Sequence, residues 1–77
     1  MAFHILIEKL TDTDGEATFR FYDTAYRDEA GELRLNKSTD QIELIKPSRE
    51  TFFIRASRKV LVAHKGGKLP DLLEWAS

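Results

Sequence analysis

The chain has 77 residues, of which 42% are apolar and 32% charged, a net charge of −1 and no cysteine. This length fits a single small globular domain over residues 1–77, and the cysteine count excludes disulfides, thiolate metal ligands and thiol catalysis. Because no apolar run approaches the roughly 20 residues of a membrane span and the first residues lack a signal-peptide pattern, we expect a cytoplasmic protein with no membrane partner.

Four segments of the first half alternate apolar and polar residues, as strands do. These segments are residues 3–10, 16–26, 32–37 and 41–46. Turn sequences separate them, of which Asp14-Gly15 is the clearest hairpin signal, and Gly31 closes the second turn. Short connections between alternating strands predict a four-stranded antiparallel meander with one apolar face.

Residues 49–65 read as an amphipathic helix. Ser48 stands where an N-cap belongs and Gly66 where a C-cap glycine belongs. Phe52, Ala56 and Ala63 share one helical face, which would cover the apolar side of the sheet. Strong β-propensity in the same stretch leaves a second interpretation open, a small all-β barrel of six strands in which residues 50–57 and 58–64 pair.

The C-terminal residues follow a flexible break at Gly66-Gly67. Pro70 suits the first turn of a helix, so we predict a short C-terminal helical turn that carries Leu72, Leu73 and Trp75. The predicted fold class is therefore α+β: a four-stranded antiparallel meander, one covering helix and this final turn.

Charge is divided unevenly along the chain. Residues 1–45 hold ten acidic and five basic side chains, whereas residues 46–68 hold seven basic side chains and one acidic. On the predicted helix, four basic residues lie on the side opposite the apolar stripe, and a fifth follows the helix. We predict that these residues form a basic face that binds a partner: Arg55, Arg58, Lys59, Lys65 and Lys68.

Two functions fit such a face. The first is a non-enzymatic protein-binding module that docks on an acidic partner. The alternative is a nucleic-acid-binding domain that uses the same cations, with exposed aromatic side chains such as Tyr22 stacking on bases. The sequence pI of about 6.1 favours the protein partner, since dedicated nucleic-acid binders are usually basic overall.

No residue pattern indicates a reaction. His4 and His64 are sixty positions apart and lack the paired spacing of metal ligands, so we expect structural roles for both. The serines lie in no nucleophile motif, and the carboxylates lie in predicted turns and on exposed strand faces. We therefore expect no enzymatic activity, no metal and no cofactor; the sequence leaves the oligomeric state open.

Overall fold

The computed structural model describes residues 3–76 and shows an α+β fold. Within that range the elements are β1 (His4–Asp12), β2 (Glu16–Asp23), β3 (Gly31–Asn36), β4 (Gln41–Lys46), α1 (Glu50–Lys65) and β5 (Leu72–Ala76). The five strands form one antiparallel sheet in the order β4-β3-β2-β1-β5, and α1 covers one face of it. A short 3-10 turn, Arg27–Glu29, joins β2 to β3.

The core lies between α1 and the covered face of the sheet. Alternation along the three central strands points every second side chain toward the helix. From the helix, Phe52, Ala56 and Val60 descend into this layer at i, i+4 and i+8. The strands contribute seven side chains with no exposed surface: Ile5, Ile7, Ala17, Phe19, Phe21, Leu33 and Leu35.

The predicted α+β class is confirmed, and β1 to β4 form the predicted antiparallel meander, but the sheet has five strands and not the predicted four. Helix α1 begins at Glu50, one residue after the predicted start, and ends at Lys65 as predicted. The alternative six-stranded barrel is wrong, because residues 50–65 form helix and make no strand pairing. The apolar stripe of the segment and the helix-boundary signals at its two ends outweighed the β-propensity of the individual residues.

The predicted C-terminal helical turn is wrong, because residues 72–76 form β5, a fifth strand that pairs with β1. Leu73 lies opposite Ile7 and Trp75 opposite Ile5, so both side chains extend the covered face. The side chains of residues 72–76 therefore alternate between the two faces of the sheet, as in any strand. The pairing satisfies the outer backbone groups of β1, which the four-stranded meander would leave at an open edge.

The predicted N-cap of α1 is wrong, whereas its predicted C-terminal end is correct. Ser48 is not the N-cap: Arg49 occupies that position without a side-chain capping bond. The Ser48 hydroxyl instead donates to the Glu29 carbonyl. At the other end Gly67 has a φ of +83°, and its N–H donates to the His64 carbonyl, which ends the helix as the glycine pair predicts.

Gly31 is buried where β3 begins beneath the start of the helix. A Cβ there would lie 2.6 Å from Phe21 Cζ, 2.8 Å from Ser48 Cβ and 2.9 Å from the Lys46 carbonyl oxygen. These distances are below van der Waals contact, and one of the atoms belongs to backbone. Close packing at this point therefore requires a residue without a side chain.

We predict that Gly31→Ala lowers the free energy of unfolding by about 1–3 kcal/mol, because the added methyl overpacks a buried site. The matched control is Gly15→Ala, since a Cβ at Gly15 meets nothing within 4 Å. This control should leave stability unchanged or raise it by up to about 1 kcal/mol. Urea denaturation of the three proteins measures both effects, and equal stabilities would contradict the packing described here.

Candidate functional site

The N-terminal end of α1 is fixed to the turn after β2. The Arg49 guanidinium lies 4.2 Å from the centre of the Tyr26 ring, and its Nε is 2.9 Å from Glu29 Oε2. The Tyr26 and Phe52 rings are 6.1 Å apart in a tilted contact. These contacts hold the first turn of the helix against the turn that follows β2.

The C-terminal end of α1 is fixed by polar contacts. His64 Nε2 lies 2.9 Å from Asp40 Oδ1 in the turn between β3 and β4. Nearby, Asp12 accepts from both Lys9 and Lys37, and Lys9 Nζ also donates to the Leu69 carbonyl at 2.8 Å. For His64, the expected structural role therefore corresponds to a contact with Asp40.

These lysines change the titration of the Asp12 carboxyl. The hydrogen bond from Lys37, followed by that from Lys9, holds the pKa of Asp12 below its ordinary value. In turn Asp12, and to a smaller extent Asp71, holds the pKa of Lys9 above its ordinary value. The cations of this cluster are therefore occupied by contacts within the chain.

The five basic residues predicted to form one face are divided in the structure. Arg58, Lys65 and Lys68 are exposed, whereas Arg55 and Lys59 are half-buried. The Arg55 guanidinium lies 4.4 Å from the centre of the Phe3 ring and donates to the Thr51 carbonyl. Arg55 therefore packs along the flank of the helix, while Arg58 and Lys65 point directly away from the core.

Two apolar residues that sequence reasoning did not assign to the site lie between these cations. Ile54 is 44% exposed and Val62 67% exposed. With Arg58 and Lys65 they fall within about 80° of arc at 3.6 residues per turn, and we call these four residues the outward helix face. The signal was available in the sequence, because both residues fall outside the predicted buried stripe.

Cations on the sheet and cations on the helix differ in their pairing. The sheet-side pairs are Lys9 with Asp12 and Asp71, Arg20 with Glu8, Arg34 with Glu43, and Lys37 with Asp12. In contrast, no carboxylate of residues 3–76 lies within ion-pair distance of Arg58, Lys59, Lys65 or Lys68. Among residues 3–76, four of the five cations of the acidic first half are thus ion-paired, with Arg27 as the exception, whereas these cations on and after the helix are not.

The uncovered face of the sheet does not present an aromatic platform. Tyr22 stands on this face but is only 6% exposed, because Arg20 and Arg27 lie over its ring at 4.9 and 5.8 Å. Its hydroxyl donates to Glu8 at 3.4 Å. The expectation that Tyr22 is exposed for stacking is therefore wrong, whereas Tyr26, Phe53 and Trp75 are partly exposed.

Comparisons with models of protein families, with characterised proteins and with solved structures give no match. Among residues 3–76, no three His, Asp or Glu side chains converge in a way that could hold a metal ion. Over the same residues, no helix has the length and apolar character needed to cross a membrane. The interpretation of the outward helix face therefore rests on its own geometry and charge.

We predict that the Asp12 cluster contributes stability that acid removes. Because the folded-state pKa of Asp12 is depressed, the contribution is present above the unfolded-state pKa of about 4 and is lost as the pH falls below it. Asp12→Asn should melt below the wild type at pH 7, and the two melting temperatures should converge toward pH 2.

The matched control is Asp14→Asn, because Asp14 forms no ion pair within residues 3–76. Thermal denaturation at several pH values between 2 and 7 measures the difference in melting temperature between each variant and the wild type. A difference that does not change with pH for Asp12→Asn, or one that is equally large for Asp14→Asn, would contradict the role of the cluster.

Proposed function

We propose that this chain is a non-enzymatic protein-binding module whose outward helix face docks on an acidic partner. Arg58 and Lys65 provide the central charges of the surface, and Ile54 and Val62 provide its apolar area. Lys59, Lys68 and Arg55 add positive charge at its margin. We further propose a cytoplasmic setting, which the cysteine-free composition favours.

The observation that carries the proposal is the pairing contrast within residues 3–76. A chain with 13 acidic and 12 basic side chains has enough carboxylates to compensate its helix. Its ion pairs are instead concentrated on the sheet and at the ends of the helix. Like charges three to four residues apart on a helix repel one another, so an anionic partner would stabilise the surface.

The apolar residues of the same surface favour a protein over a nucleic acid. Burial of Ile54 and Val62 against a partner would contribute on the order of 1–3 kcal/mol each, and Arg beside apolar side chains is typical of the centre of protein interfaces. A phosphate backbone makes no use of this apolar area. The burial of Tyr22 also removes one stacking surface from the nucleic-acid alternative.

The proposal predicts the composition of ligands and their dependence on Arg58. Peptides selected from a random displayed library against the wild type should be enriched in Asp and Glu together with apolar residues. Arg58→Glu should weaken a selected peptide about tenfold, which corresponds to the loss of a contact worth about 1.4 kcal/mol. Fluorescence anisotropy of the labelled peptide measures this affinity.

Arg27→Glu is the matched control, because Arg27 is exposed, forms no ion pair within residues 3–76 and lies near Tyr22 on the sheet side. It changes the net charge as much as Arg58→Glu does, yet should leave affinity within about twofold of the wild type. Equal losses for the two variants would contradict the proposed surface. Tight binding of a labelled oligonucleotide, with no enrichment of acidic peptides, would support the nucleic-acid alternative instead.

A further inference from the structure

Strand β4 forms one edge of the sheet and is poorly covered. Helix α1 packs over β1, β2, β3 and β5, and most side chains of β4 remain exposed. Leu44 is 40% exposed and Ile45 44% exposed. Together with an outer row of backbone donors and acceptors that faces no neighbouring strand among residues 3–76, these residues form an open and apolar sheet edge.

We propose that this edge pairs with β4 of a second copy of the chain, in an antiparallel two-fold arrangement that joins two sheets. The surface differs from the outward helix face, so the inference is independent of the proposed function. A two-fold interface requires a segment that is complementary to itself. The charges of β4 meet this requirement.

The register of β4 determines this self-complementarity. Glu43 lies opposite Arg34 and Lys46 lies opposite Glu32, so both side chains point to the uncovered face. In a regular strand, residues 43 and 46 would point to opposite faces. The register shift at Ile45, between the Leu44 and Lys46 pairings, brings them to the same one.

With Leu44 placed opposite Ile45 of a second copy, Glu43 faces Lys46 of that copy, and the reverse pair forms by symmetry. Lys46 has no ion pair among residues 3–76, and Glu43 already accepts from Arg34. In each half of the interface, Glu43 would therefore lie between Arg34 of its own chain and Lys46 of the other copy. Cross-strand pairs of opposite charge stabilise a sheet, whereas like charges in the same positions destabilise it.

Strand β5, at the other edge of the sheet, lacks this complementarity of charge with a second copy of itself. Strand β5 carries Glu74 as its charged residue and no cation, so two copies of it bring no opposite charges together. The net charge of −1 adds little repulsion between copies joined through β4. Because six-residue strands bury less than a standard interface does, we expect a reversible dimer that forms as concentration rises.

A charge-swap experiment tests the proposal. Sedimentation equilibrium of the wild type, up to on the order of 1 mM, should show a monomer–dimer equilibrium. Glu43→Lys and Lys46→Glu should each raise the dimer dissociation constant at least tenfold, because each places like charges opposite one another. An equimolar mixture of the two variants should regain the wild-type dissociation constant within about threefold. In the mixed dimer the introduced lysine of one variant faces the introduced glutamate of the other, and the remaining Lys46 and Glu43 pair as in the wild type.

The matched control is a mixture of Asp14→Lys and Arg27→Glu, which carry the same net charges away from β4. Each control variant alone should dimerise as the wild type does, and mixing them should change nothing. Glu43→Lys gives up the ion pair with Arg34, so circular dichroism must show that it folds; if it does not, Lys46→Glu alone decides. A monomeric wild type over the whole range, or a dimer that Lys46→Glu leaves intact, would overturn the proposal.

Discussion

Burial of one face of the sheet beneath α1 is the interaction on which the rest of the structure depends. Burial of each of the larger apolar side chains of the core stabilises the fold by on the order of 1.5–3 kcal/mol. A chain this short is only marginally stable, so the fold depends on this burial. Packing is so tight at Gly31, where Phe21, Ser48 and the Lys46 carbonyl surround the α-carbon, that no side chain fits. Once Phe52, Ala56 and Val60 occupy the core, the opposite side of the helix is determined.

The position of the positive charge follows from this packing. Contacts of Arg49 with Tyr26 and Glu29 fix one end of α1, and the contact of His64 with Asp40 fixes the other. The basic segment is thereby held over the covered face, while the carboxylates that pair with Lys or Arg lie on strands and turns. The division of charge along the sequence thus becomes a division in space, which supports the binding proposal.

The sequence allowed the local elements to be predicted, because their signals lie within a few residues of one another. The glycine pair after residue 65 and the apolar stripe of α1 gave the helix almost to the residue. Long-range pairing was the source of error. Nothing within residues 69–76 shows that Leu73 and Trp75 will lie opposite Ile7 and Ile5, near the other end of the chain. The Ser48 contact with Glu29 and the arginines over Tyr22 likewise depend on neighbours that the chain supplies only after folding.

Chemical-shift mapping tests most directly whether an acidic partner binds the outward helix face. An acidic peptide selected against the wild type would be titrated into isotopically labelled protein while backbone amide and side-chain methyl resonances are followed. We predict that the largest changes occur at Ile54, Arg58, Val62 and Lys65, with small changes at Arg20, Tyr22 and Arg34 on the uncovered face of the sheet. Changes centred on that sheet face, with the helix unaffected, would contradict it.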